Sequence, residues 1–524
     1  MITEKKNNSL KNINIYLIYL SLGIIAFLFN FWTSNQGVFP IDTFLHYDSA
    51  FKILNGEKPV RDFWIIHGIT LDYIQGIFFY FFGVNWISYI THSSIFNSVI
   101  TLFFFTFLRN LNIGTSYSVI LSICFLTLAY PISGVPFIDH HATFFSLISI
   151  FIFYFGITNK NYKYFFLIPF LFGLAFFSKP VPSIYIVTVF GIVYLIYFFS
   201  EKKFKPILFL IYGSVLFFFM LFLFLKIEDI PIKNFIDQLI LYPMSIGDQR
   251  LDFIEEAISN RLFNYKFIIL SLIYLIFFLT YKKNFLKFSK EKIFFCVLIA
   301  FFSLSMIVHQ ILTKNQNFIF FLIPINLGLI LYLNNIISLK YKKFINLFFI
   351  IFCILLTLKY NERFNDKRKF HELEYVKLEN AIGASTIDKS LYPLKWITSR
   401  YPNPNDEIEL IKKIIEVIEN SEKNTLLLTN YNFIDSVTQK KVYSAVKNFD
   451  SVTIPNVDNE FVDDFTSHFM QQLEKKNISQ ILMFFPSIKD SDALINSFKE
   501  YQFPICFDYQ NVNLAIGIVE IKSC

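Results

Sequence analysis

Charge is scarce in this chain, and that scarcity decides its class. Asp, Glu, Lys and Arg make up 17% of 524 residues, against roughly 25% in soluble proteins. Hydrophobic residues make up 54% and mean hydropathy is +0.49. Runs such as Ile207–Phe224 hold no charge and are long enough to cross about 30 Å of hydrocarbon as helices. A water-soluble fold is thereby excluded. Cysteine is also rare. Cys124, Cys296 and Cys353 fall in apolar runs and read as packing residues. Cys506 and Cys524 lie in the tail, where they are either a disulfide or two free thiols. The five have no metal-ligand spacing. No small-residue cleavage site follows the first apolar run, so it reads as a retained helix. No internal repeat is visible, which argues against a secondary transporter. Phe is abundant, at 70 residues, but Ile, Asn and Lys are abundant with it. The Phe excess is a compositional bias, not a cofactor box.

What is present is a succession of apolar blocks. Hydropathy predicts eleven spans, at roughly 14–33, 86–108, 113–131, 141–158, 164–178, 183–199, 207–226, 265–281, 293–312, 318–334 and 344–359. The stretch 69–83 is short, carries Asp72 and two Gly, and fits an interfacial or re-entrant helix. With a cytoplasmic N-terminus, 17 of the 28 Lys and Arg before residue 360 fall in short inner segments: Lys5, Lys6, Lys11, Arg109, Lys160, Lys163, Lys202, Lys203, Lys205, Lys282, Lys283, Lys287, Lys290, Lys292, Lys340, Lys342 and Lys343. An odd number of spans then puts the C-terminal region outside. The short loops and minimal tail fit a bacterial inner membrane.

Charge balance changes sign near Tyr360. Residues 1–359 carry 28 Lys and Arg against 16 Asp and Glu, and residues 360–524 carry 19 against 24. We therefore expect a polytopic α-helical membrane domain, 1–359, and a soluble extracytoplasmic α/β domain, 360–524. The basic excess belongs to membrane-flanking loops, so nucleic acid is not an expected partner. In the tail, helices are predicted over 406–420, 461–475 and 491–501, and strands over 425–429, 480–485 and 515–521. The tail has no Gly-rich phosphate loop and no nucleophile motif, so a substrate-positioning role is expected of it.

Acidic residues carry the functional signal. Of the 16 before residue 360, only Glu4, Glu201 and Glu291 fall inside. Acids contribute little to orientation, so this bias points to a polar reaction centre at the outer face. The first outer loop, 38–68, concentrates Asp42, His46, Asp48, Arg61, Asp62 and His67. A turn of helix is predicted over 49–54, ended by Asn55-Gly56 and Pro59. Asp42 sits in an otherwise uncharged stretch, where a carboxylate needs a partner or a function.

This loop resembles that of a known family. Asp42, His46-Tyr47, Ala50, Leu54-x-Gly56, Arg61-Asp62 and His67-Gly68 are similar to the first outer loop of the GT-C glycosyltransferases. That group includes the protein O-mannosyltransferases and the aminoarabinose transferases of lipid A. Gly173-Leu-Ala-Phe-Phe-Ser-Lys179 resembles the Gly-Leu-Ala…Thr-Lys that ends a short span in the family, and Lys314 and Pro324 fall where members have a basic residue and a Pro. The resemblance covers roughly residues 14–334. Thr43 stands where the mannosyltransferases often have a second acid, and Gly68 where Pro is usual.

The resemblance implies transfer of a sugar from a polyprenyl-phosphate donor to an acceptor hydroxyl on a glycan, lipid or protein at the outer face. Such a reaction needs a base for the acceptor and positive charge on the departing phosphate. Asp42 is the expected base and Asp48 the second catalytic candidate. Binding roles are expected of His46, Arg61, Asp62, His67, Asp139 and His140, and phosphate contacts of Lys179, Arg250 and Lys314. Each has a plainer reading. Asp42 would pair with Arg61, Asp48 would cap a helix, the histidines would be hydrogen-bonded structural residues, and Lys179 would snorkel. No cofactor is expected. Asp139-His140-His141 with His46 would suggest a divalent metal, but the spacing matches no metal-site motif. A polymerase or ligase of O-antigen type would more often place its arginines in a large central or late outer loop. A transporter or flippase would carry mid-span charges.

Overall fold

The computed structural model describes residues 2–202, 204–251, 261–281, 289–313, 318–337, 341–450, 452–486 and 491–522. Lys203, Lys282, Lys283, Lys287, Lys314, Lys340 and Cys524 lie outside the described residues, as do the side chains of Lys5, Lys6, Lys11 and Arg250.

Among the described residues ten helices are long and apolar enough to cross a membrane. They belong to α1 (Ile2–Thr33), α5 (Trp86–Asn110), α6 (Thr115–Leu128), α7 (Ile138–Thr158), α9 (Pro180–Glu201), α10 (Lys205–Ile227), α13 (Lys266–Thr280), α14 (Lys290–Leu312), α15 (Leu322–Ile337) and α16 (Lys342–Asn361). The eleventh expected span, 164–178, is shorter than these: it is the 3-10 segment Tyr162–Leu167 followed by α8 (Ile168–Phe176). It covers the same distance nonetheless. Asp139 opens α7 and Lys179 follows α8, yet their side chains meet at 2.8 Å. The chain that leaves along 21 residues of α7 must therefore return over the same thickness. A 3-10 helix rises about 2.0 Å per residue against about 1.5 Å for an α-helix, which lets fewer residues span the distance. α7 and α15 are deeply enclosed, whereas α10 lies at the outside of the bundle, packed by one side on the segment 162–176 through Gly213 and Phe217.

Between α1 and α5 the first loop folds into α2 (Pro40–Thr43), α3 (Tyr47–Leu54) and α4 (Thr70–Phe82). α4 has the two-faced character of an interfacial helix. Asp72, Gln75, Gly76 and Phe79 are buried, while Ile77, Tyr80, Phe81 and Phe82 are exposed. After α10 the chain passes through α11 (Ile232–Ile236) and α12 (Tyr242–Leu251).

The C-terminal region is a three-layer α/β unit. A short antiparallel pair, β1 (Ile382–Gly383) and β2 (Lys395–Trp396), precedes a four-stranded sheet of order β3-β4-β6-β5. Its strands are β3 (Thr425–Thr429), β4 (Gln480–Phe484), β5 (Cys506–Asn513) and β6 (Ile516–Lys522); β3 and β4 are parallel and the rest antiparallel. Ile408, Ile411, Ile414 and Ile418 of α17 (Pro404–Asn420) cover one face. On the other face lie α19 (Val462–Lys475) and α20 (Ser491–Glu500), α18 being the short turn Ile434–Val437. The predicted helices and strands are all present within two residues at each end. The edge strand β5 was not expected, because its alternation is mostly polar. Cys506 at its start is disulfide-bonded, and Cys124, Cys296 and Cys353 are free and buried.

This unit is built onto the first loop. Gly37 and Val38 donate backbone hydrogen bonds to Lys395 and Ile397, and Trp64 exchanges bonds with Ala445 and Lys447 at 2.8 and 2.9 Å. Phe44 and Tyr47 share a core with Trp396 and Phe433, and Trp64 shares one with Phe465. Arg368, fully buried just past α16, donates to the carbonyl oxygens of Gln36, Pro131, Ile132 and Ser133. It thus satisfies turn carbonyls that would otherwise be buried without donors.

Gly68 explains one departure from the GT-C pattern. Thr70 N donates to Phe177 O at 2.9 Å, and a Cβ on Gly68 would stand 1.7 Å from that same oxygen. No side chain fits there, Pro included. Gly68→Ala should therefore destabilise the protein by about 1–3 kcal/mol or more. Gly191→Ala, in the open middle of α9, should be neutral or stabilise by up to about 1 kcal/mol. Thermal denaturation of the detergent-purified chains checks both; equal midpoints would show that the two segments are not in this contact.

Candidate functional site

Asp42 occupies α2, a single turn opened by Pro40 and tied by Phe39 N donating to Thr43 Oγ1 at 2.9 Å. Thr43, at the position of the absent second acid, thus holds the turn. Asp42 is half-buried, and among the described residues its carboxylate has no hydrogen bond or ion pair. Burial pushes its pKa up to about 7; Asp139, Glu372 and Asp450 add to the rise and Lys179 opposes it. The plain reading, a pair with Arg61, is not realised.

Beside Asp42 lies a cluster that joins three membrane helices. Lys179, at the turn between α8 and α9, donates to both carboxylate oxygens of Asp139 at 2.9 and 2.8 Å. His309 Nε2 of α14 donates to the same carboxylate at 2.8 Å. Asp139 and His309 are buried, while the Lys179 side chain stays 20% exposed. Lys179 is therefore not simply snorkelling: it is an oriented cation at the rim of the helix bundle.

A second buried cluster lies on the inner face of α4. Asp72 accepts from His46 Nδ1 at 2.6 Å, Ser49 Oγ at 2.6 Å and Lys447 Nζ at 2.8 and 3.1 Å. Burial alone would raise its pKa, but Lys447 and His46 outweigh that and hold it below the usual carboxylate range. Burial and Lys447 lower His46 to about 4, against the pull of Asp72. Half-buried His67 is kept neutral, first by burial and then by Lys447 and Lys179. Among the described residues its ring has no hydrogen bond.

The other expected residues are committed elsewhere. Asp48 does not cap α3, since His46 stands at the cap position; Asp48 pairs with Lys52, which also donates to Ser444 Oγ at 2.7 Å. Arg61 lies on Asp62 at 2.6 Å and on the Glu228 carbonyl, and Asp62 accepts from Lys475 at 2.8 Å, so this pair clamps α19 and the end of α10 to the loop. His140 is enclosed by Tyr130, Phe144, Phe318 and Phe370. His141 accepts from Tyr130 OH at 2.5 Å and meets His92 at 3.0 Å, with His92 on Gln75 at 2.9 Å. Among the described residues no three His, Cys, Asp or Glu converge as a metal site.

Lys447 and His309 escaped the sequence reading. The only trace of Lys447 is indirect: an acid such as Asp72 inside an apolar helix demands a cation that its neighbours in sequence do not supply.

Lys447→Met would leave Asp72 buried without its cation, which should cost about 3–5 kcal/mol. Combining it with Asp72→Asn should recover most of that loss. Thermal denaturation of the full chain reads both; additive losses in the double variant would show that the two side chains do not pair.

By sequence the chain matches no family model and no curated protein. By structure it is similar to ArnT from Cupriavidus metallidurans in the apo state, at 10% identity and a TM-score of 0.46 over 97% of this chain and 98% of that one. It is likewise similar to ArnT from the same organism bound to undecaprenyl phosphate, at 9% identity and a TM-score of 0.43 over the same shares. At these values no residue role transfers, and the roles of individual side chains rest on this chain's own geometry.

Proposed function

We propose that this chain is a membrane glycosyltransferase of GT-C type that moves a sugar from a polyprenyl-phosphate donor to an acceptor hydroxyl. The observation that carries this reading is Asp42: a carboxylate with no partner among the described residues and a pKa raised to about 7, beside an oriented lysine at the membrane rim. General bases work best with a pKa near the operating pH. In the reaction the acceptor oxygen attacks the anomeric carbon and its proton passes to Asp42. The bond from that carbon to the phosphate oxygen breaks, and polyprenyl phosphate leaves with the electron pair. Lys179, held at the head of two membrane spans, would face the phosphate as charge builds on it. The C-terminal layer would serve as a positioning element, since Lys447 is its contribution to the site.

Asp42→Asn keeps the shape and removes the proton acceptor. Turnover of polyprenyl-phosphate hexoses by the purified chain should fall by about 10²–10⁴-fold, with lipid binding unchanged. Since only the ionised base is active and burial has raised its pKa, wild-type activity should climb with pH through a midpoint near 7. Unfolded Asp binds its proton more weakly than folded Asp42, so this group's contribution to stability falls as pH rises from about 4 to 7. A flat profile from pH 5 to 9 would remove Asp42 from the role.

The reading places the C-terminal region outside the cytoplasm, in a bacterial inner membrane. Eleven crossings from an inner N-terminus support it, as does the disulfide at Cys506, a state favoured in oxidising compartments. A C-terminal reporter active only in the cytoplasm should stay silent; an active one would invert the topology.

A further inference from the structure

His46 is the one member of the Asp72 cluster whose chemistry is left incomplete. It is fully buried, and its ring is oriented from one side only. Nδ1 lies 2.6 Å from a carboxylate that can only accept, so Nδ1 carries the proton and Nε2 presents a lone pair. Lys447, 3.3 Å from Nδ1, is a donor only and spends its protons on Asp72 at 2.8 and 3.1 Å. Asp72 therefore fixes this tautomer, and Lys447 holds Asp72 in place. Nε2, on the other side of the ring, has no hydrogen-bond partner among the described residues. Buried polar atoms are nearly always paired, and an orphan calls for a missing partner. Carboxylate, imidazole and bare Nε2 make up the orienting half of an acid–base triad whose hydroxyl is not supplied by the described residues.

We infer that His46 Nε2 is the acceptor for a substrate hydroxyl, with Asp72 and Lys447 as its positioning residues. The ligand class is a neutral polyol, because the bare nitrogen accepts from an O–H and has nothing to offer an anion. The inference rests on the transfer reading, in which such hydroxyls belong to either the donor sugar or the acceptor. It also gives the C-terminal layer a defined role, since Lys447 holds the carboxylate that orients the imidazole.

The full chain is purified as wild type and as His46→Asn, whose amide keeps the donor to Asp72 but has nothing at the Nε2 position. Three probes are used: undecaprenyl phosphate, the same lipid bearing a hexose, and a neutral alkyl glycoside as acceptor. His46→Asn should keep the wild-type thermal midpoint and the affinity for the sugarless lipid. It should lose about tenfold, the worth of one neutral hydrogen bond, in one of two places. A loss in affinity for the hexosyl lipid assigns the hydroxyl to the donor sugar; a loss in KM for the glycoside assigns it to the acceptor. If neither changes, Nε2 holds only water and the inference is overturned. Should the variant fail to fold, deuterium exchange at the His46 imidazole C2–H in wild type decides. Slowing by the hexosyl lipid or the glycoside, but not by the sugarless lipid, supports the inference; no slowing by either overturns it. Failure of wild type to transfer sugar counts against the reaction, and the exchange result still stands alone.

Discussion

A carboxylate sealed from water must be met by donors or lose its charge, and most of this protein's outer architecture follows from how Asp72 meets that demand. Its three donors come from the residue before α3, from α3 itself and from a loop of the C-terminal layer. Satisfying one side chain therefore fixes α4 against α3 and seats the α/β unit on both. The backbone bonds of Trp64 with Ala445 and Lys447 bring Lys447 to the right place, and Arg368 does similar work at the other edge of the seam. Removing either half of the Asp72 pair leaves the other as an uncompensated buried charge, so the layer cannot lift away without a large penalty.

The same physics separates three carboxylates of one region. Asp72 and Asp139 are each saturated by a lysine and a histidine. Among the described residues Asp42 has neither, and it sits near Asp139, whose charge it feels. Burial first, and then the charge of Asp139, make Asp42 the basic one, the arrangement by which neighbouring acids are driven to different protonation states at one pH. Any base placed here owes its strength to residues that never touch its substrate.

Much of this was legible because hydropathy and alternation are local. The spans, the interfacial helix and most of the tail's elements follow from windows of ten to twenty residues. α8 was placed correctly but looked ordinary; its 3-10 entry, which lets it cross in few residues, leaves no mark in composition. β5 was missed because an edge strand exposed on most of its residues lacks the apolar period of β3 and β4. Asp42 and Lys179 were readable as charges in apolar surroundings. The plainer reading of Asp48 as a cap fails because His46 takes the cap position and Asp48 pairs with Lys52 one turn on, and the plainer pairing of Asp42 with Arg61 fails because Asp62 takes the arginine. Lys447 and His309 were out of reach. Their partners lie 375 and 170 positions away, and a single sequence carries no record of such pairings.

That first distance has a consequence for how the molecule is made. The first loop leaves the ribosome long before the segment that completes it. At about 5–20 residues per second, some 375 positions of chain correspond to roughly 20–75 seconds of synthesis. Through that interval Asp72 lacks its lysine, and Trp64 and the backbone edge at Gly37 and Val38 lack the C-terminal groups they pair with, although the helices on either side are already in the bilayer. The Asp72 cluster is consequently completed last, by the final third of the polypeptide. A nascent or truncated chain would hold its lipid-facing helices in place and still have an open first loop, which the C-terminal layer alone can close.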